Sequence, residues 1–109
     1  MQKISELLIN AGTDRVIAGV IEVLADGKWH SMREIERAAD LRQPEVSIAI
    51  GTLAEYLETK TAGGAHGRPQ KCVRGVRLRK FVERRAGALR IGYENKSAML
   101  DAAMSMIAG

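Results

Sequence analysis

The chain has 109 residues, of which 46% are hydrophobic and 4% aromatic, and its net charge is +4. This length predicts a single domain, 1–109, with a small and mainly aliphatic core. The single cysteine excludes an internal disulfide, and the absence of a long apolar run or a signal-peptide pattern predicts a cytoplasmic protein without a membrane partner.

The charge is unevenly distributed along the chain. Residues 1–59 carry a net charge of −4, residues 60–90 carry +9, and residues 91–109 carry −1. Such asymmetry is typical of proteins that bind a polyanion, although a solvated basic helix with a tail would also produce it.

Apolar residues recur at helical spacing in four N-terminal segments, and each segment predicts a helix. These helices are Met1–Ala11, Asp14–Ala25, Met32–Ala39 and Pro44–Glu58. Between the second and third, Lys28–His30 predicts a brief strand with Trp29 turned into the core. Ser31 and Glu34 have the spacing of a capping box at the start of the third helix. A four-residue turn, 40–43, then leads to Pro44, which suits the first turn of a helix.

The helix predicted over Pro44–Glu58 has two different faces. One face is apolar, with Val46, Ile50, Leu53 and Leu57 at i, i+4, i+7 and i+11. The opposite face is small and mostly uncharged, where a solvated helix would carry Lys and Glu. Small residues let a helix approach another surface closely; the alternative is that Ala49, Gly51 and Thr52 pack against another protein element.

The remaining segments predict a hairpin, a basic segment and a last helix. Residues 60–62 and 71–76 are the arms of the hairpin, and Gly63–Lys71 is its glycine-rich tip. A basic amphipathic segment starts at Arg77. The last helix, Ala98–Ala108, would be capped by Ser97 or Asn95. Its stripe of Leu100, Met104 and Ile107 predicts a dimerisation helix, or else one that packs back on Val16 and Val20.

This order of elements predicts a mainly α protein with a small β-hairpin (α+β). The fold would be a winged helix-turn-helix domain with flanking N- and C-terminal helices. Residues 13–76 would form its core, and residues 77–109 the basic segment and C-terminal helix. In such a domain the recognition helix, here 44–58, enters the DNA major groove, while the wing, here 60–76, lies on the backbone or in the minor groove.

Two motifs at matching separation carry a family resemblance. Leu41–Ile50 reads LRQPEVSIAI and Gly67–Lys71 reads GRPQK. Together they resemble the winged-helix regulators common in archaea, a broad relative of the ArsR/MarR-like group, over about residues 13–76. The resemblance implies a transcriptional regulator that binds double-stranded DNA as a homodimer, associated with the nucleoid. The chain departs from the pattern in the more basic second arm, Cys72–Val76, and in its C-terminal segments.

The resemblance also implies which residues touch DNA. Recognition-helix contacts would come from Arg42, Gln43, Ser47 and Thr52. Gln43 can pair with adenine and Arg42 with guanine or phosphate. Ile48 would touch a thymine methyl, or else make a dimer or core contact. Arg68 would enter the minor groove at the wing tip. Phosphate contacts would come from Lys71, Arg74, Arg77 and Arg79.

Other functions have less support in the sequence. The two histidines, His30 and His66, lack partners at a recognisable catalytic or metal-binding spacing, so the prediction is no enzyme, no metal and no cofactor. His66 would add charge to the wing tip at mildly acidic pH. Two alternatives remain: an architectural, chromatin-type protein that binds DNA without sequence preference, and a winged-helix module that binds RNA or an acidic protein. The absence of Lys and Arg between Pro44 and Glu58 favours the sequence-specific regulator over the architectural protein.

Overall fold

The computed structural model describes residues 3–63, 69–88 and 94–108. The helices are α1 (Ile4–Asn10), α2 (Arg15–Leu24), α3 (Met32–Ala39), α4 (Gln43–Thr52), α5 (Leu78–Ala88) and α6 (Glu94–Ser105). The strands are β1 (His30–Ser31), β2 (Leu57–Gly63) and β3 (Pro69–Gly75), and a 3₁₀ turn, Ala54–Tyr56, precedes β2. The prediction of a mainly helical α+β chain is confirmed.

The strands form one antiparallel sheet in the order β1-β3-β2. The β2–β3 hairpin pairs Leu57 with Gly75 at its base and Gly63 with Pro69 at its far end. On its other side β3 pairs with β1, where His30 lies opposite Val73. Val73 is fully buried, so the base of the hairpin is anchored in the core while its far end extends away from it.

Side chains at the helix starts satisfy backbone N–H groups that have no partner within the helix. The Asp14 carboxylate accepts the Val16 and Ile17 amides at 3.0 and 3.3 Å, so α2 begins after Asp14. The Ser31 hydroxyl accepts the Glu34 amide at 3.2 Å, as the predicted capping box requires. The Glu34 carboxylate, however, contacts His30 Nδ1 at 3.2 Å and does not close the box.

The turn between α3 and α4 is tight because Asp40 adopts a left-handed backbone conformation, with φ of 53°. The Leu41 amide donates to the Glu36 carbonyl at 2.9 Å, which closes the end of α3. The Leu41 side chain is buried. These contacts fix the angle at which α4 leaves α3.

The prediction that the fourth helix runs to Glu58 is wrong. Helix α4 ends at Thr52, and Leu57 begins β2. Leu57 pairs with Gly75 in the sheet, and just before it the Val76 and Arg77 amides both donate to the Tyr56 carbonyl, at 3.1 and 3.0 Å. The apolar pattern could not reveal this, because Leu57 is buried whether the segment is helix or strand.

Trp29 does not enter the core as predicted, and the strand after it is His30–Ser31. The indole is half-buried on the outer face of the sheet, with Lys60 Nζ at 4.3 Å and the Arg74 guanidinium at 4.9 Å from the ring. The indole is therefore held by cation–π contacts with two cations of the hairpin and not by packing in the core.

Helix α6 packs against α1 and α5, and the Ala108 amide donates to the Ala25 carbonyl at 2.7 Å. It begins at Glu94, so neither Asn95 nor Ser97 is its N-cap as predicted. Leu100 and Ile107 are buried within the chain, and Met104 is partly buried. The expectation that this stripe is left uncovered for a dimer partner is therefore wrong, since α1 and α5 already cover most of it.

No helix within the described ranges has the length and apolar character needed to cross a bilayer.

Candidate nucleic-acid interface

Helix α4 has one buried and one open face. Its buried face packs against α2 and α3 through Val46, Ala49 and Ile50. The exposed face comprises Gln43, Pro44, Ser47, Ile48, Gly51 and Thr52. A Cβ added to Gly51 would have no atom within 4 Å. The predicted division into an apolar and a small, uncharged face is thus present up to Thr52. The alternative, in which Ala49, Gly51 and Thr52 pack against another protein element, holds for Ala49, which is fully buried, whereas Gly51 and Thr52 are exposed.

Few hydrogen-bonding groups on this face remain for a partner. The Gln43 amide nitrogen lies 3.5 Å from the Ser47 hydroxyl, at the limit of a hydrogen bond. The Thr52 hydroxyl donates to the Ile48 carbonyl at 3.0 Å and is used within the helix. Gln43 and Ser47 are therefore the main polar groups of α4 that can turn towards a ligand.

The acidic residue of α4, Glu45, lies beside the open face and is engaged by neighbouring groups. Glu45 accepts the Arg42 amide at 3.1 Å and pairs with Arg15 at 3.4 Å. The Arg42 side chain is exposed at the start of the helix. This arrangement leaves a cation beside the helix N-terminus, whose own dipole also favours an anion.

An open groove of about 340 Å³ separates α4 from the hairpin. Ser47 and Gly51 line it from the helix, and Thr59 and Lys71 line it from β2 and β3. The structure therefore brings together Ser47 and Lys71, two residues predicted to contact DNA. Hydroxyl and ammonium groups facing each other across such a groove suit a phosphodiester backbone.

Arg74 lies on the opposite face of the hairpin from Lys71. Side chains alternate along a strand, and the two residues are an odd number of positions apart. Arg74 pairs with Glu58 at 2.9 Å and lies over the Trp29 ring. A flat partner that contacts Lys71 would thus not reach Arg74, and this predicted phosphate contact is separated from the helix face.

Arg77 is held by the backbone just after α4. Its guanidinium donates through Nε and Nη2 to the Glu55 carbonyl at 3.0 and 2.7 Å. Arg84, which lies further along the chain in α5, donates to Glu55 Oε1 at 3.2 Å and to the Tyr56 hydroxyl at 2.6 Å. These two arginines fix α5 against the turn that follows α4.

Arg79 and Lys80 line a broad groove of about 500 Å³ between α5 and α6, together with Glu83 and Met104. The sequence interpretation named Arg79 and missed Lys80. Lys80 directly follows Arg79 at the start of α5, where both side chains are exposed, and the sequence places it in the same basic segment.

The part of the wing expected to enter the minor groove lies outside the described residues. This applies to Arg68, and also to His66 and Gly67. Cys72 lies on β3 with its thiol partly exposed. Among residues 3–63, 69–88 and 94–108, no three His, Cys, Asp or Glu side chains are arranged to hold a metal ion.

No protein-family model matches the chain, and no curated protein matches its sequence.

Proposed function

We propose that this protein is a transcriptional regulator that binds double-stranded DNA in a sequence-specific manner. In this proposal the domain is a winged helix-turn-helix, α3 and α4 are its helix-turn-helix pair, and the β2–β3 hairpin is its wing. The exposed face of α4 would enter the major groove, and the protein would act at the nucleoid.

The observation that carries the proposal is the open face of α4. A helix whose surface is small, uncharged and uncovered is unusual for a solvated face. Gln43 and Ser47 offer hydrogen bonds, and Ile48 offers an apolar contact. These groups match the mixture of polar edges and methyl groups that base pairs present in the major groove.

The cations around this face support the same assignment. Arg42 lies at the start of α4, and Lys71 lies across the groove from Ser47. Cations at the rim fit contacts with the phosphates that flank a groove, while an uncharged centre fits contacts with bases. A protein that coats DNA without sequence preference would gain from cations on α4 itself, and α4 has none.

The proposal includes a homodimer, because helix-turn-helix proteins commonly read two half-sites about one helical turn apart. The predicted stripe of α6 is buried in the described part of the chain, so the dimer contact would have to use another surface. Sedimentation with and without a two-half-site duplex tests this part. Binding of only one protein copy per duplex at saturation would contradict the proposed homodimer.

The test of the function starts with the selection of bound duplexes from a random library. Affinity for the selected duplex and a scrambled one is then measured at about 50 mM and about 200 mM salt. We expect the selected duplex to bind at least about 10³-fold more tightly. A ratio near one at both salt concentrations would contradict sequence-specific binding. No binding of any duplex at low salt would contradict DNA binding altogether.

A further inference from the structure

Ile48 has the most exposed large hydrophobic side chain in the described part of the molecule. Its exposed fraction is 71%, against 42% for Ile9 and 42% for Met106. It lies in the middle of the open face of α4. Burying such a side chain against an apolar group is favourable in proportion to the area removed from water.

An apolar groove of about 290 Å³ extends from Ile48 towards the start of α2. Val16 and Ile17 line it from α2, and Ala49 lines it from α4. The carboxylates of Asp14 and Glu45 also line it, but both are engaged: Asp14 accepts the Val16 and Ile17 amides, and Glu45 pairs with Arg15. Thr52 also borders it, with its hydroxyl turned back to the Ile48 carbonyl. The surroundings of Ile48 thus offer a methyl-sized group several apolar neighbours and few hydrogen-bond donors.

The chemistry of α4 also limits what its centre can read. The commonest specific contact to guanine uses Arg or Lys, and α4 has neither. Gln43 and Ser47 lie towards the N-terminal half of the helix, so the contact at Ile48 has to be apolar. In the major groove the apolar feature is the C5-methyl group of thymine, which 5-methylcytosine also carries.

We propose that Ile48 is a specificity-determining residue and that it reads the C5-methyl group of a pyrimidine in the major groove. This inference rests on the proposed function, because it requires α4 to face the bases. The inference predicts that each half-site has a pyrimidine at its centre and that the protein recognises this base through its C5-methyl group.

The test removes that methyl group alone. In the selected duplex each thymine is replaced, one at a time, by deoxyuridine, and affinity is measured by fluorescence anisotropy. We expect a loss of roughly fourfold at one position per half-site, the effect of one buried methyl group. At that position 5-methylcytosine should bind more tightly than cytosine by a similar factor, which separates methyl recognition from recognition of the base pair.

A protein variant tests whether Ile48 makes the contact with this methyl group. Ile48→Ala should bind the thymine and deoxyuridine duplexes equally, because the group that contacts the methyl is gone. This substitution lies at an exposed position and favours helix, so the fold should be retained. Ile9→Ala, which shortens an exposed isoleucine on α1, is the matched control and should keep the fourfold ratio.

Two results would overturn the inference: deoxyuridine having no effect at any position, or Ile48→Ala retaining the full ratio. Either result can occur while the selected duplex still binds tightly, in which case the proposed function survives and only the role of Ile48 fails. If no duplex is selected, the proposed function fails first.

Discussion

Gly75 lies where the end of β3 passes closest to the core. A Cβ at this position would lie 3.1 Å from the Leu24 carbonyl oxygen and 2.5 Å from Leu78 Cδ1. Leu78 is buried and cannot easily move aside. The close approach of β3 to α2 therefore requires a glycine here.

Gly75→Ala should destabilise the fold by about 1–3 kcal/mol, the usual effect of overpacking. Gly51→Ala is the control, because a methyl group at that open helical position should stabilise by about 0.5–1 kcal/mol. Urea unfolding measures both. Equal free energies of unfolding for Gly75→Ala and the native chain would contradict the packing of β3 on α2.

His30 lies between two carboxylates. Its Nε2 is 2.9 Å from the Asp26 carboxylate, and its Nδ1 is 3.2 Å from Glu34 Oε2. Partial burial raises the pKa of Asp26, but the hydrogen bonds from the Lys28 amide and His30, with the charges of His30 and Lys28, outweigh it. The pKa of Asp26 therefore lies below its ordinary value of 3.8.

A depressed carboxyl pKa contributes stability above the unfolded-state pKa, and this contribution is lost as pH falls through the folded-state pKa. Asp26→Asn should thus lower the free energy of unfolding at about pH 7, by less than about 1 kcal/mol because the pair is partly exposed. The difference should shrink as the pH falls from about 7 to below the ordinary carboxyl pKa of 3.8. Urea unfolding at both pH values checks this, and a difference that grows on acidification would contradict it.

Among the elements, α6 belongs to the core of its own chain. Leu100 is fully buried on α6, which packs against α1 and α5, while Met106 on the following turn is 42% exposed. The sequence indicated an amphipathic helix here, but it could not show that α1 would fold back to cover the stripe.

Leu100→Ala should therefore lower the free energy of unfolding by about 2–5 kcal/mol, and this loss should not depend on protein concentration. Met106→Ala should be nearly neutral. Chemical unfolding at two protein concentrations is the measurement. A loss for Leu100→Ala that shrinks as protein concentration rises would indicate that the stripe is buried between chains.

Element types were predictable from the sequence wherever one apolar period dominated, as in α2 and the buried face of α4. The predicted ends of elements were wrong where burial alone could not distinguish a helix from a strand, as at Leu57. Trp29 was misplaced because its cation partners, Lys60 and Arg74, come from strands far along the chain. The proposed DNA contacts were chosen from residue type and stay predictions, whereas their division between the two faces of the hairpin depends on the β2–β3 register.

Across the chain, the number of Lys and Arg residues is larger than the number of cations that are available to contact a polyanion. Arg74 and Arg84 pair with Glu58 and Glu55, and Arg77 holds the Glu55 carbonyl. Within the described residues no acidic side chain pairs with Arg42, Lys71 or Arg79. Only part of the basic segment thus carries cations without an acidic partner, and the proposed DNA binding would rely on these.

Because Arg74 has an acidic partner and Lys71 has none among the described residues, variants of these two hairpin residues should differ in the salt dependence of DNA binding. Lys71→Ala should reduce the slope of log affinity against log salt by about 1, since one phosphate contact is lost. Arg74→Ala should leave the slope nearly unchanged, because its guanidinium is engaged with Glu58 and Trp29. Equal reductions in both variants would mean that DNA contacts both faces of the hairpin.

The proposed function requires the open face of α4 to contact duplex DNA. Gly51→Gln tests it most directly, because a neutral, helix-favouring side chain fills open space on that face without adding charge. Ala102→Gln, at an exposed position of α6, is the matched control. We predict that Gly51→Gln keeps or raises the free energy of unfolding yet lowers affinity for the selected duplex by at least about tenfold, the effect of about 1.4 kcal/mol, while Ala102→Gln changes neither. Full affinity in a folded Gly51→Gln variant would show that the open face of α4 does not contact the duplex.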